Sequence, residues 1–128
     1  MNIEVKDLMV GDWVNVKDYP MVAIPKQIKP EHFVRSLCWF EPIIITNDFL
    51  DNNGFDFTPT GNSFNSNEEP YGIYELEIEN TILHYNNKYN EFKIFKDDKK
   101  CATFKINFVH EMQHILKIYK IDLEIKCI

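Results

Sequence analysis

The sequence predicts an α+β fold, in which an antiparallel sheet or half-open small barrel packs against one short and one longer helix. Apolar and acidic residues alternate over 74–79, the pattern of a strand with one buried face. Further strand-like segments follow between turn-forming residues, which favours a meander. Near the C-terminus, apolar residues recur at helical spacing.

The bulk composition fits one ordinary domain, predicted to span 1–128. Hydrophobic residues make up 45% of the chain, with ten Phe and six Tyr, so we expect a core of aromatic rings. The formal net charge is -6 at pH 7. Such a surface repels phosphate backbones, which disfavours nucleic acid as a partner and favours a basic protein.

The three cysteines predict a reducing, cytoplasmic environment. Cys38, Cys101 and Cys127 are odd in number and form no C-x-x-C pair, which argues against a disulfide framework or a structural zinc site. Cys38 lies in an apolar run and Cys101 opens a strand, so we expect both thiols to be buried and inert. No signal peptide and no membrane span are expected.

The first elements are predicted to form a hairpin. Val14 and Val16 alternate with more polar neighbours after the Gly11-Asp12 turn, and 21–24 resembles a returning strand. The pair could open an SH3-like half-barrel.

The next segments are predicted to be a helix, a buried crossing and a second helix. Proline at position 30 favours a short helix over 30–37. The apolar run 37–45 contains Pro42, which disfavours a central strand and predicts a buried crossing segment. A threonine N-cap and an early acid predict a helix over 46–53, with Gly54 as its left-handed stop. The polar stretch of about 58–70 is predicted to be a mobile loop.

Strands are then predicted over 74–79, 81–86, 91–96 and 101–106. Glu75, Glu77 and Glu79 would line the solvent face of the first of these strands. This acidic row is the predicted interaction surface for an unidentified protein partner, although a solvated strand face would show the same pattern.

The C-terminal helix is predicted over 107–119, with Asn107 as its N-cap. Its apolar stripe contains Val109, Met112 and Leu116. The alternation over 121–125 predicts a closing strand.

Within this helix, His110, Glu111 and His114 satisfy the H-E-x-x-H pattern, in which two histidines bind zinc and the glutamate activates a metal-bound water. At 100° per residue, however, both histidines fall opposite the apolar stripe and beside Lys117, where solvent is expected. No histidine follows His114 to act as a third ligand. A zinc site is therefore not favoured.

Three short patches resemble an uncharacterised family of small hypothetical proteins from Bacteroidetes and their phages and mobile elements. The patches lie at 7–14, at 40–55 and at 108–113. Their sequences are Asp-Leu-x-Val-Gly-Asp-Trp-Val, Phe-Glu-Pro-Ile-x-Ile-Thr followed by Leu50 and Gly54-Phe55, and Phe-Val-His-x-Met-Gln. The resemblance implies an intracellular, phage-linked context and no particular chemistry. The chain departs from the family pattern at Glu111 and His114.

Together these observations favour a non-enzymatic protein-interaction module, as a phage-associated accessory protein or inhibitor of a host protein, without a cofactor. The alternative is a small zinc-dependent hydrolase that uses His110, His114 and Glu111. A small-ligand binder with an aromatic interior is a third possibility.

Overall fold

The computed structural model describes residues 11–18, 22–29, 39–64 and 70–127. Within these ranges the strands are β1 (Trp13–Asp18), β2 (Val22–Gln27), β3 (Trp39–Glu41), β4 (Asp56–Phe64), β5 (Pro70–Ile78), β6 (Thr81–Asn86), β7 (Glu91–Lys96) and β8 (Lys99–Lys105). The helices are α1 (Asn47–Asn52) and α2 (Val109–Ile118). All strand pairs are antiparallel and the larger sheet is open. The predicted α+β class is confirmed.

The described residues form two compact units. The first contains the described residues before Thr46 and after Asn107, and the second is Thr46–Asn107. The single domain over 1–128 stays a prediction.

The first unit contains a three-stranded sheet in the order β2-β1-β3. The predicted hairpin is confirmed, since β1 pairs with β2 and the side chains of Val14 and Val16 are buried. Backbone hydrogen bonds join Gly11 N to Ile28 O at 2.9 Å and Ile28 N to Asp12 O at 2.8 Å, which closes its open end. The predicted crossing segment is partly wrong, because 39–41 pairs with β1 as an edge strand that ends before Pro42.

Helix α2 belongs to this unit, and its N-cap lies one residue later than the predicted Asn107. Its N-cap is Phe108, whose backbone N–H donates to Glu111 Oε1 at 3.1 Å, as in the reach-back half of a capping box. The predicted apolar stripe is buried at Val109, Met112 and Leu116.

The predicted closing strand over 121–125 is wrong, because residues 121–127 have no regular secondary structure. This segment is held instead by side-chain and turn hydrogen bonds. The indole Nε1 of Trp13 donates to Ile125 O at 2.8 Å, and a backbone bond of 2.9 Å joins Ile121 N to Leu116 O.

The second unit is a five-stranded meander in the order β4-β5-β6-β7-β8, together with α1. One face of the sheet is buried, and its core side chains are Tyr74, Leu83, Tyr85, Phe92 and Ile94. Strands β6 and β7 have the predicted bounds, while β8 begins at Lys99. Helix α1 has Thr46 as its N-cap, as predicted, with the Phe49 N–H donating to Thr46 Oγ1 at 3.1 Å.

The predicted loop over about 58–70 is wrong for 58–64, which belongs to β4. Its polar composition suits an edge strand, since an edge strand needs backbone partners on one side only. The rest of that loop up to residue 69, the predicted helix over 30–37 and Cys38 lie outside the described residues. No helix in the described ranges is long and apolar enough to span a membrane.

Candidate functional site

His110 is buried and His114 is only partly exposed, so the predicted solvent exposure is wrong for His110 and holds only in part for His114. His110 is 8% exposed and the side chain of His114 is 26% exposed. The prediction assumed that α2 buries one stripe only. The segment leading into β1 covers a second face of the helix, where Gln113 and His114 bond to it.

His114 makes a short polar contact with the residue that precedes β1. Its Nε2 lies 2.6 Å from Oδ2 of Asp12, which is only 3% exposed. A buried carboxylate is costly unless a donor replaces its lost hydration, and an imidazole N–H supplies such a donor. The pair therefore stabilises Asp12 in its buried position.

Gln113 fixes the same segment through the backbone. Its Oε1 accepts from Trp13 N at 2.7 Å, and its Nε2 donates to Gly11 O at 3.0 Å. Nearby, the Val109 N–H donates to Ile43 O at 2.9 Å. Residues from all three patches that carry the family resemblance are therefore joined by hydrogen bonds in this unit.

In α2, Glu111 and His114 of the H-E-x-x-H pattern make other contacts. Glu111 is engaged at the helix N-terminus by the Phe108 N–H. The ring centroids of His110 and His114 lie 5.7 Å apart, with the ring planes at 75°, and His114 Nε2 is already bonded to Asp12. Over the described ranges, no group of three or more His, Cys, Asp or Glu side chains could hold a metal ion.

Two of the three glutamates in the predicted acidic row lie on β5. Glu75 and Glu77 are exposed on β5, whereas Glu79 follows the strand in the turn to β6, at φ 55°. A two-residue hairpin turn requires such left-handed backbone. The strand, and with it the alternation of buried and exposed side chains, therefore ends at Ile78.

A third carboxylate, missed by the sequence analysis, joins this face from β4. Asp56 pairs directly opposite Glu75, and both residues are exposed. Like charges in directly opposed positions repel each other. Only the strand register could reveal this pair, because 18 intervening residues separate Asp56 from Glu75 in the sequence.

His84 of β6 lies opposite Glu75 on its other side. Its Nε2 is 4.0 Å from Glu75 Oε1, and its ring packs edge-on against Phe95 at 5.8 Å between centroids. Burial lowers the pKa of His84 below its ordinary value, outweighing the opposing attraction of Glu75. Its Nδ1 is buried without a hydrogen-bond partner.

Two half-exposed apolar side chains border the carboxylates. Glu77 pairs with Ile82 of β6, which in turn pairs with Phe95 of β7. We call the surface formed by Asp56, Glu75, Glu77, Ile82 and Phe95 the acidic sheet face. It combines negative charge with apolar area, whereas the sequence pattern indicated charge alone.

The described cysteines are free thiols. The predicted burial of Cys101 is wrong, since its side chain is exposed on the edge strand β8. Cys127 is partly buried, and burial raises the pKa of its thiol to about 12. A thiol with such a pKa is a poor nucleophile at neutral pH.

The fold and these sites define an α+β protein with an open antiparallel sheet, an acidic sheet face and a part-buried Asp–His pair. Comparisons with protein-family models, curated proteins and solved structures each return no match to the chain.

Proposed function

We propose that the protein is a non-enzymatic protein-interaction module whose acidic sheet face binds a basic segment of another protein. The opposition of Asp56 and Glu75 carries this proposal. Such a pair destabilises the free sheet, and local rules of this kind are broken most often at functional positions. A cationic partner side chain placed between the two carboxylates would remove their repulsion.

The apolar part of the face supports a protein partner over a simple cation. Ile82 and Phe95 are paired across β6 and β7, next to Glu77. Interfaces combine such apolar anchors with a charged rim that selects the partner. The matching surface would carry Lys or Arg residues on either side of an apolar side chain.

The proposed setting is the cytoplasm, where the protein would act as a phage-linked accessory protein or as an inhibitor of a host protein. The free thiols of Cys101 and Cys127 support a reducing compartment. The phage context rests on the family resemblance of the three sequence patches.

Binding can be tested with a labelled heptapeptide in which lysines alternate with valine and phenylalanine, followed by fluorescence anisotropy. We expect binding that weakens with added salt, and no binding of the matching peptide with glutamate in place of lysine. The double reversal Glu75→Lys/Glu77→Lys should weaken binding by about tenfold or more, because it turns attraction into repulsion.

The matched control is the double reversal Asp51→Lys/Glu124→Lys, which changes the net charge by the same amount at exposed positions outside the face. It should retain most of the binding. Glu79→Lys should have the smaller effect expected of a turn residue. If the two double variants bind the peptide equally well, the acidic sheet face is not the binding surface.

A further inference from the structure

A cleft of about 240 Å³ opens in the first unit, where the two residues before β1 meet the C-terminal half of α2 and the segment that follows it. The cleft shares no residue with the acidic sheet face. Small-ligand pockets usually measure about 300–1,000 Å³, so this cleft suits a molecule of amino-acid size.

One wall of the cleft is apolar and held in place by backbone bonds. Lys120 follows the C-cap of α2 and has φ 56°, so that the chain turns back on the helix. The Ile121 N–H then donates to Leu116 O at 2.9 Å, and the Leu123 N–H donates to Ile121 O at 3.1 Å. Leu116, Ile121 and Leu123 line this wall.

Charges of both signs surround the wall. Lys117 and Asp122 both line the cleft and are exposed. The buried Asp12 also lines it and is fixed by His114. Gln113 also lines the cleft. Its side-chain oxygen and nitrogen are both hydrogen-bonded to the backbone at Trp13 and Gly11, which fixes the position of its amide.

We propose that this cleft binds a small zwitterion, an α-amino acid with a branched apolar side chain. The ligand carboxylate pairs with Lys117, and its ammonium group pairs with Asp122 under the negative field of Asp12. The side chain packs against Leu116 and Leu123. A ligand with only one charge could pair with Lys117 or with Asp122, but not with both.

The test is isothermal titration of the full chain with L-leucine and with two analogues of the same shape, 4-methylpentanoate and 3-methylbutylamine. We expect leucine to bind, and each analogue to bind at least about tenfold more weakly, since one charge-assisted hydrogen bond is worth that much. In ¹H–¹⁵N spectra the amide signals of Ile121 and Leu123 should shift with leucine.

Lys117→Met and Asp122→Asn should each weaken leucine binding about tenfold. Lys105→Met and Glu124→Gln are matched controls at exposed positions that do not line the cleft, and they should bind as the wild type does. Absence of binding by leucine, valine and isoleucine at millimolar concentration would overturn the proposal. So would an amine that binds as well as leucine, or binding that survives Lys117→Met.

Discussion

At the scale of single residues, the buried Asp12 shows how one side chain can link two distant segments. Its carboxylate contacts a histidine 102 positions away in sequence. Asp12 also lies between Gly11 and Trp13, whose backbones are bonded to Gln113. The polar side chains of α2 therefore hold the start of β1.

Replacing Asp12 with alanine should lower the free energy of unfolding by about 1.5–3 kcal/mol, because His114 loses a charged acceptor in a sheltered position. Urea unfolding followed by circular dichroism measures the loss. Glu124→Ala, at an exposed carboxylate, is the control and should change stability by less than about 0.5 kcal/mol. Equal effects of the two substitutions would contradict a structural role for Asp12.

His84 should make stability depend on pH. Its folded-state pKa lies below the ordinary value of 6.5, so the unfolded chain binds more protons when the pH falls. The stability contribution is complete above pH 6.5. It is lost as the pH drops from there towards the folded-state pKa.

We therefore expect His84→Gln to be less sensitive to acid than the wild type when urea unfolding is compared between pH 8 and pH 5. The relevant quantity is the difference between the two proteins, because it removes the effects of acid that they share. A difference that stays constant with pH would show that burial does not disfavour the charged imidazole.

At the scale of elements, the approach of β4 to β5 depends on a glycine. A Cβ atom at Gly72 would lie 2.4 Å from Phe57 Cε1 and 2.5 Å from the backbone O of Thr58. The same residue is bonded to the turn after β6, with its N–H donating to Asn87 Oδ1 at 2.8 Å. The strand therefore has little freedom to move away.

Gly72→Ala should destabilise the protein by about 1–3 kcal/mol through overpacking against backbone. Thermal unfolding measures this, with Thr103→Ala on the exposed side of β8 as a control that changes stability by less than about 0.5 kcal/mol. A neutral Gly72→Ala would mean that β4 is not packed against β5 at this point.

The elements that the sequence predicted well are those with local signals. The N-cap Thr46 and the left-handed Gly54 bracket α1, and turn residues separate β6 from β7. Strand β4 was missed because its signal is not local, since its partner strand supplies the hydrogen bonds that its composition does not suggest.

At the scale of the whole molecule, metal content separates the two functional hypotheses. We expect protein purified without a histidine tag to carry well under one zinc per chain, because His114 is bonded to Asp12 and Glu111 to Phe108 N–H. Elemental analysis by mass spectrometry measures the ratio. Near-stoichiometric zinc that disappears in His110→Ala would instead support the hydrolase.

The net charge of -6 follows from the composition of the chain. The positions of the charged side chains on the surface depend on the fold. Glu75 and Glu77 could be placed on one strand face from their spacing, whereas Asp56 joins them only through the register of β4 and β5. The same holds in the first unit, where Asp12 lines one cleft together with Lys117 and Asp122, although it is far from both in the sequence.

The sequence by itself determined the α+β class, the meander, the first hairpin and the apolar stripe of α2, because periodicity, caps and turn residues act over a few positions. Only the tertiary structure decided where His110 and His114 point, since a helix can be covered on more than one face by distant segments. It also decided the partners of Asp12 and Asp56. Contacts between residues far apart in the chain depend on packing and register, which no local pattern encodes.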